Sequence, residues 1–470
     1  MSLATKNELR TDVGNAKRFA ERYKNRLRYI PQWKCWLRWN ESRWCLDTLN
    51  SVVELAKFEA RKYFSAACKL EEDDERKAAV KHGLQSEKQA QLFATIKLAQ
   101  SDPRLAIDAS DLDSDPWLLN CQNGTVDLKT GEMRPPRRND LITKITPVCF
   151  DPTSSSKKWN DFLETATGGD QELRVYLQMI AGYSLTGDTS EEILLLLFGP
   201  AASGKTTFLE AIKAAMGAYA ATAGFQTFLK QAQPGAARGD LARLVGVRLV
   251  TGSEAPAGHQ FDDTTLKQLT GGDTISVRKL YGDPFEFKPQ FKIVLAGNDR
   301  PVVRDGEQAL WRRLKAIPFP NAIPANERNP GLKAYLTDPL GGSPAVLAWM
   351  VEGALAWQKL GLQEPESVKQ ATAEYRSEME IFGQFVEDRL IEEPEQWAET
   401  SAIFSAYQLH NLLNENKYPY GQRRVTSILR SRGHKPTRRD GKRGWQGVGL
   451  KPVHPVDTSA TTDTNFKKSQ

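Results

Sequence analysis

Hydrophobic and polar positions divide the chain into stretches of different period. "WLRWNESRWCLD" has two strand-like halves, Trp36–Trp39 and Arg43–Leu46, around the polar turn Asn40-Glu41-Ser42, and so predicts a strand pair. From about Leu49 to Gln100 the pattern becomes helical and charged, most of all in "KLEEDDERKAAVKHGLQSEKQ". The "NG" and "KTG" pairs in "PWLLNCQNGTVDLKTGEMRPP" punctuate short strands. "DPTSSSKK", Asp151 to Lys158, reads as a linker before two helices, near Trp159–Thr165 and Gln171–Tyr183. From about Ser190 to Pro320 apolar strands alternate with polar or glycine-rich loops, which predicts an α/β sheet. Beyond it, "SPAVLAWMVEGALAWQKLG" predicts a helix with Ser343 as N-cap, Pro344 at its first position and Gly361 as its stop. A further helix is expected from Glu366 through Glu380 into "IFGQFVEDRL". No stretch repeats, and the final "DTSATTDTNFKKSQ" is polar enough to be disordered.

One apolar run leads directly to chemistry. Ile193–Phe198 is uninterrupted, as in a strand covered on both faces. Gly199-Pro200-Ala201-Ala202-Ser203-Gly204-Lys205-Thr206 follows and matches the phosphate-loop pattern G-x-x-x-x-G-K-[ST]. Thr207 continues into a helix expected from Lys205 to Met216, with Gly217 as its αL cap. Small residues let backbone N–H groups wrap phosphates at a helix N-terminus, where partial positive charge gathers. Lys205 then reaches the β- and γ-phosphates, and Thr206 offers its hydroxyl to Mg²⁺. ATP and Mg²⁺ are the expected cofactors.

Downstream strands supply the other groups such a site needs. Val247–Thr251 leads to Glu254, placed to polarise an attacking water and, with Thr206, to hold the metal. Ser253 stands where many ATPases carry an acid. Phe291–Ala296 ends near Asn298, whose side chain can sense the γ-phosphate. "EQALWRRLKAIPFP" sets Arg312 beside Arg313, either a solvated helix face or a cation donated to a neighbouring subunit's phosphoryl transfer.

Between these strands lies "KQLTGGDTISVRKLYGDPFEFKPQ", a hairpin with Ile275–Tyr281 outward, Gly282-Asp283-Pro284 as turn and Phe285–Phe287 returning. Arg278, Lys279 and Tyr281 sit near its tip. Cations attract phosphate whatever the sequence, and a ring stacks on any base, so these residues suit a single strand of DNA. Otherwise Tyr281 is a cross-strand core residue and Arg278 pairs with Asp283 or Glu286. Lys267 is a further DNA candidate. Toward the C-terminus Arg423, Arg424, Arg430, Arg432, Lys435, Arg438, Arg439, Lys442 and Arg443 face a single acid, Asp440. Two helices and then a basic hairpin turning at Asp440-Gly441 are the plan of a winged helix. Such a unit contacts duplex DNA or serves as a packing module kept soluble by its charge.

Composition narrows the class. A chain of 470 residues exceeds one core, and 40% apolar with 26% charged residues is ordinary for a globular protein. A net charge of +6 is mild, so its distribution matters more than its total. Cys35, Cys45, Cys68, Cys121 and Cys149 are too scattered for a zinc ribbon or a disulfide framework, and are expected as reduced, mostly buried thiols of a cytoplasmic protein. No apolar run approaches the roughly 18 residues that span a bilayer, and no signal-peptide pattern opens the chain.

Taken in order, "GPAASGKTTF", "RLVTGSE", "LKQLTGGDTISVRKLYGDPFEFKP", "KIVLAGNDRP" and "LWRRLKAIPF" resemble the helicase domain of the phage and plasmid primase-helicase family, a superfamily-three branch of the AAA+ ATPases. "DPWLLNCQNGTVDLKTGEMRP", "LITKITPVCFDP" and "YLQMIAGYSLTGDTSEE" resemble the region preceding that domain. The resemblance implies an α/β fold: a mixed α/β domain over 1–115, a helical collar over 116–188, an AAA+ phosphate-loop core over 189–325, a helical segment over 326–378, a winged helix over 379–452 and a disordered tail over 453–470. It also implies a ring of six or seven copies, Glu254 as catalytic acid, Asn298 as sensor, Arg312 or Arg313 as the finger acting in trans, and the hairpin pointing into a channel. The function implied is ATP-driven 3′-to-5′ unwinding of forked DNA from single-stranded DNA, in the cytosol of a bacterial host, with a separate primase or initiator as a partner. Asp108, Asp111, Asp113 and Asp115 fall in a loop without a second acidic cluster, so no primase site is expected. The rival readings are an ATPase that loads or remodels at an origin, and a DNA-binding initiator whose ATP site controls assembly.

Overall fold

Five parallel strands form the central sheet: β1 (Leu194–Phe198), β2 (Ala220–Thr222), β3 (Leu249–Ser253), β4 (Lys292–Gly297) and β5 (Leu314–Pro318), in the order β5-β1-β4-β3-β2. The computed structural model describes residues 10–229, 239–253, 261–278, 284–298, 300–301, 303, 308–414 and 419–452. Side chains alternate across a strand, so β1 serves two cores. Leu195 and Leu197 join Trp159, Phe208 and Met350 on one face, while Leu194 and Leu196 join Phe228, Trp311 and Tyr375 on the other. This double coverage explains why β1 reads as an unbroken apolar run.

Helices α1 (Lys157–Thr167), α2 (Gln171–Leu185), α3 (Lys205–Met216), α4 (Ser343–Leu360) and α5 (Glu366–Arg389) surround the sheet. Ser343 lies one residue inside α4, because its hydroxyl donates to the Leu336 carbonyl at 3.0 Å and Gly342 takes the cap position. Gly217 has positive φ but not the αL conformation (φ 53°, ψ −119°), since the chain turns at once into a 3₁₀ turn over Gly217–Tyr219. Where α2 crosses α4, two glycines let the backbones touch. A Cβ on Gly182 would lie 2.0 Å from the Ala354 nitrogen, and one on Gly353 2.0 Å from the Gln178 carbonyl oxygen.

The segment expected as a helical collar is mixed. A three-stranded antiparallel sheet (Leu118–Cys121, Gly124–Asp127, Met133–Arg134) precedes α1 and α2, as the "NG" and "KTG" turns predict. Two buried cations fasten it to the amino-terminal edge of the central sheet. Arg248, 2% exposed, donates to the carbonyls of Leu185, Asp115 and Leu118 at 2.8–3.1 Å and lies 4.7 Å from the Tyr219 ring centre. Lys292, equally buried, donates to the carbonyls of Thr186 and Asp188 and lies 4.6 Å from the Tyr183 ring centre. Burial presses the pKa of both cations down. Multiple carbonyl acceptors offset the cost of burying each charge.

The N-terminal part follows its pattern. Strands Leu27–Ile30, Cys35–Trp39 and Trp44–Leu46 pair antiparallel, and helices Ser51–Ala67, Asp73–Ser86 and Gln89–Ala99 fill the charged stretch. Asp108 and Asp115 each accept a backbone N–H two residues on, and Asp113 accepts the Thr143 N–H at 2.7 Å. All five cysteines are free, but only Cys121 is buried; Cys68 and Cys149 are exposed and the other two half-buried. The expectation of mostly buried thiols is therefore corrected. Cys68 caps a surface helix, outside any of the hydrophobic cores.

Near the C-terminus α5 enters a separate core with helices α6 (Thr400–Leu413) and α7 (Gln422–Ser431), followed by the basic hairpin Lys435–Arg439 and Lys442–Gln446. Asp440 and Gly441 both take positive φ, as a two-residue hairpin turn of the expected kind requires. Glu392 anchors this unit by accepting from Arg432 at 2.8–2.9 Å and contacting the His434 ring nitrogen at 2.8 Å. Those partners hold its carboxyl down to about 2, from 4.5. A depressed carboxyl pKa contributes stability that is present above 4.5 and lost as pH falls toward 2. Glu392→Gln is therefore expected to lower the melting point of the C-terminal unit at pH 7 and to flatten its acid dependence in that window. Thermal melts of both proteins from pH 7 to pH 2 measure both effects.

Candidate nucleotide site

The site forms where the carboxyl ends of three strands meet. Phe198 of β1 pairs with Gly297 of β4, and Ser253 of β3 with Ala296 of β4, so the loops that leave these strands emerge side by side. In open parallel sheets this edge is where ligands bind. Gly199 turns at φ +146°, and a Cβ there would lie 2.1 Å from the Phe319 carbonyl oxygen. Only glycine passes this close to the chain leaving β5. Ala202 adopts φ +61°, and its carbonyl accepts from the Ile323 N–H at 3.0 Å, which pins the loop from outside.

Helix α3 starts at Lys205, and Gly204 supplies no side-chain cap. The first-turn N–H groups are thus left for an external acceptor, an arrangement suited to anions. The Lys205 side chain is buried and folds back on the loop, donating to the carbonyls of Gly199 at 2.9 Å and Pro200 at 2.8 Å and to Ser203 Oγ at 3.0 Å. Burial pulls the pKa of its ammonium down, which an arriving anion would reverse. The Thr206 side chain is exposed beside it.

A cleft of about 700 Å³ opens over this loop. Ala201 through Thr207 line it together with Asn298, so the phosphate loop and the expected sensor share one cavity. The opposite wall was not legible in the sequence. It consists of Lys158, Asp161 and Thr165 from α1, with Glu327, Arg328, Asn329 and Lys333. Aromatic stacking fixes α1 there: Trp159 lies parallel to Phe208 of α3 with ring centres 6.0 Å apart, and Phe162 fills the space over Gly204. The stretch read as a linker therefore ends in a wall of the cleft, with Ser156 capping α1 by accepting from the Trp159 N–H.

The remaining expected site residues are not among the described residues that line the cleft. Glu254, Lys279 and Tyr281 fall outside the described residues, as does the side chain of Arg278. The hairpin itself is present, Ile275–Arg278 pairing antiparallel with Pro284–Phe287. Lys267 is half-buried on the helix Asp263–Thr270. Arg312 and Arg313 end the helix Gln308–Arg313 just before β5, whose first residue pairs with Leu194. They lie at the opposite end of the sheet from the cleft, about 13 Å away along the strand. Arg313 is tied to Glu192 at 2.5 Å and donates to the Ala309 carbonyl, whereas Arg312 is exposed. In the C-terminal unit Arg423, Arg438, Arg439, Lys442 and Arg443 are exposed, with Lys442 3.1 Å from Glu399. Arg424 instead turns inward, donating to the Arg300 carbonyl and lying 5.7 Å from the Tyr420 ring centre.

The ATP and Mg²⁺ expected from the sequence fit the donors present: uncapped helix N–H groups, a glycine-lined loop, an under-neutralised lysine and an exposed threonine hydroxyl. Among the described residues no group of three His, Cys, Asp or Glu side chains is arranged to hold a metal by itself. No helix among them is long and apolar enough to cross a membrane.

Comparison with known proteins agrees with the motifs. Residues 16–168 match the family model described as D5 N terminal like, and residues 197–313 match a second, described as a family of unknown function (DUF5906). Over 303 residues, 60% of this chain, the sequence is 29% identical to "Putative helicase L207/L206" of Acanthamoeba polyphaga mimivirus. Over 255 residues, 51% of this chain, it is 27% identical to "Putative helicase 022R" of Frog virus 3. The alignments span only 31% and 26% of those two proteins. The apo structure of the NrS-1 C terminal region superposes with a TM-score of 0.43 at 10% identity, over 90% of this chain and 96% of that one. The two family matches fall on the segment before the central sheet and on the sheet itself, the parts whose motifs resemble the phage and plasmid primase-helicase family.

Proposed function

We propose that the chain is the motor subunit of an ATP-dependent DNA helicase of the AAA+ type, working as a hexameric or heptameric ring that travels 3′ to 5′ on single-stranded DNA. The observation that carries the reading is the cleft in which Lys205, Thr206 and Asn298 converge over an uncapped helix N-terminus. Bound ATP with Mg²⁺ would supply the phosphoryl bond whose cleavage drives the cycle. The loop from Gly199 to Thr207 cradles the phosphates, Lys205 exchanges its carbonyl partners for phosphate oxygens, and Thr206 and Glu254 hold the metal. Glu254 also orients the attacking water, and Asn298 reports the state of the terminal phosphate.

The sheet geometry supports a role in trans for one of the arginine pair, since both residues sit at the far edge from their own cleft. Arg312, exposed and with no ion pair among those seen, is the finger; Arg313 is held by Glu192 as a structural brace. Arg312→Ala and Lys205→Ala proteins are each expected to be inactive, while mixing them restores part of the ATP turnover. No recovery in a mixing titration would sink the trans assignment. Arg278, Lys279 and Tyr281 on the hairpin, with Lys267 behind it, grip the strand in the channel. Arg423, Arg438, Arg439, Lys442 and Arg443 present the C-terminal unit, read as a winged helix, to duplex DNA; Arg424 belongs to its packing. The partner at a fork is a separate primase or initiator. The site of action follows the host; a bacterial cytosol belongs to the phage reading, whereas the relatives aligned above are from an amoebal virus and a frog virus.

Strand displacement on forks with only a 3′ or only a 5′ single-stranded arm tests the proposal. Unwinding that needs the 3′ arm and ATP supports it. ATP hydrolysis without displacement points to a loader or remodeller, and binding without turnover to an initiator.

A further inference from the structure

The residue two places beyond the sensor joins three parts of the molecule. Arg300 Nη1 contacts Glu378 Oε1 of α5 at 2.7 Å, with both side chains 14% exposed. Its guanidinium lies 4.2 Å from the ring centre of Phe198, the last residue of β1 before the phosphate loop, and 5.4 Å from that of Tyr375. Its own carbonyl accepts from Arg424 of α7, and the next carbonyl, of Pro301, accepts from the Tyr375 hydroxyl. Burial pushes the Glu378 carboxyl up and Arg300 opposes this, so the pair is mutually dependent.

Helix α5 gives these contacts their reach. Its first half packs on the sheet, where Thr372 Oγ1 accepts from the Ala316 N–H at 3.0 Å, and its last half supplies Phe382, Phe385 and Val386 to the C-terminal core. Any shift of the segment after Asn298 therefore moves Arg300 against α5 and α7 together. A guanidinium stacked on one ring and paired with one carboxylate holds a defined geometry rather than a continuum of them.

We propose that Arg300, with Glu378 and Arg424, is the positioning element that couples the nucleotide cleft to the basic C-terminal unit, so that duplex DNA on that unit accelerates turnover at the phosphate loop. The inference rests on the reading of the cleft as an ATP site and of the basic hairpin as a DNA contact. Coupling between two sites is reciprocal in binding, so ATP must also change the affinity for duplex by the same free energy as duplex changes the affinity for ATP.

The test compares wild type, Glu378→Gln and Arg300→Lys in ATP turnover, with kcat and KM separated, across a titration of a blunt duplex, alongside duplex affinity with and without a non-hydrolysable ATP analogue. Wild type is expected to gain roughly fivefold or more from duplex, a typical size for coupling of this kind. Both variants are expected to keep their DNA-free kcat and nucleotide-free duplex affinity within about twofold while losing most of that gain. Stimulation that survives both substitutions overturns the coupling and leaves the helicase reading intact. Loss of DNA-free turnover in both variants also overturns it, because the contact is then merely structural. A wild type without ATP turnover refutes the reading on which the inference rests.

Discussion

Lys205→Ala is expected to abolish ATP turnover without weakening the fold. The side chain is the only cation of the phosphate loop, and removing one preorganised group that stabilises developing phosphoryl charge costs about a hundredfold or more in rate. Stability should go the other way. Without a ligand the ammonium is buried among neutral oxygens and its pKa is depressed, so the folded chain carries an under-compensated charge. Alanine removes that cost, and water entering the open cleft can satisfy the Gly199 and Pro200 carbonyls. Two measurements separate the effects. Turnover should vanish while the melting point holds or rises. Saturation with ATP·Mg²⁺ at about a hundredfold over Kd stabilises wild type by about 2.7 kcal/mol, and this shift should disappear in the variant. A lowered melting point without nucleotide would refute the account of a strained cation.

Gly182→Val should be the most damaging single change in the interior. The position lies in the crossing of α2 and α4, and the nearest atoms to an added Cβ are backbone: Ala354 N at 2.0 Å, Gly353 C at 2.3 Å and Met350 O at 2.5 Å. No rotamer change relieves such a clash, so the helices must separate. A loss of about 3 kcal/mol is expected, at the upper end for overpacking. The melting midpoint of the central unit should fall by roughly 6–12 °C. Gly182→Ala should show a milder form of the same effect. If both variants melt like wild type, the close crossing is wrong.

What could be read in advance depended on whether the signal was local. The strand and helix on either side of Gly199–Gly204, the hairpin beginning at Ile275 and the turn at Asp440-Gly441 are each written within a short stretch, and each is present. The far wall of the cleft is not written this way. Lys158 and Asn329 lie far apart in sequence, and nothing near either marks it as facing Lys205; the aromatic stack of Trp159 on Phe208 brings α1 across. Arg424 shows the same limit from the other side. Its neighbours in a basic run suggested a DNA contact, but its partners are Tyr420 and the Arg300 carbonyl, which only the tertiary fold brings near. The thiols were misjudged for a similar reason: scarcity and scatter say nothing about which face of an element each one occupies.

Arg248 and Lys292 limit how the parts of this fold can move against one another. Both cations are spent on carbonyls of the segments that flank the antiparallel sheet and α2, and both sit at the starts of strands whose far ends approach the cleft. Parting the antiparallel sheet from the central sheet would leave two charges in a dry seam with no acceptors, at several kcal/mol each. The antiparallel sheet before α1 and the central sheet are therefore held as one block. On the proposed reading, a movement set off at the cleft would have to be taken up beyond that block, by the hairpin or by the C-terminal unit, with the seam as the fixed frame between them.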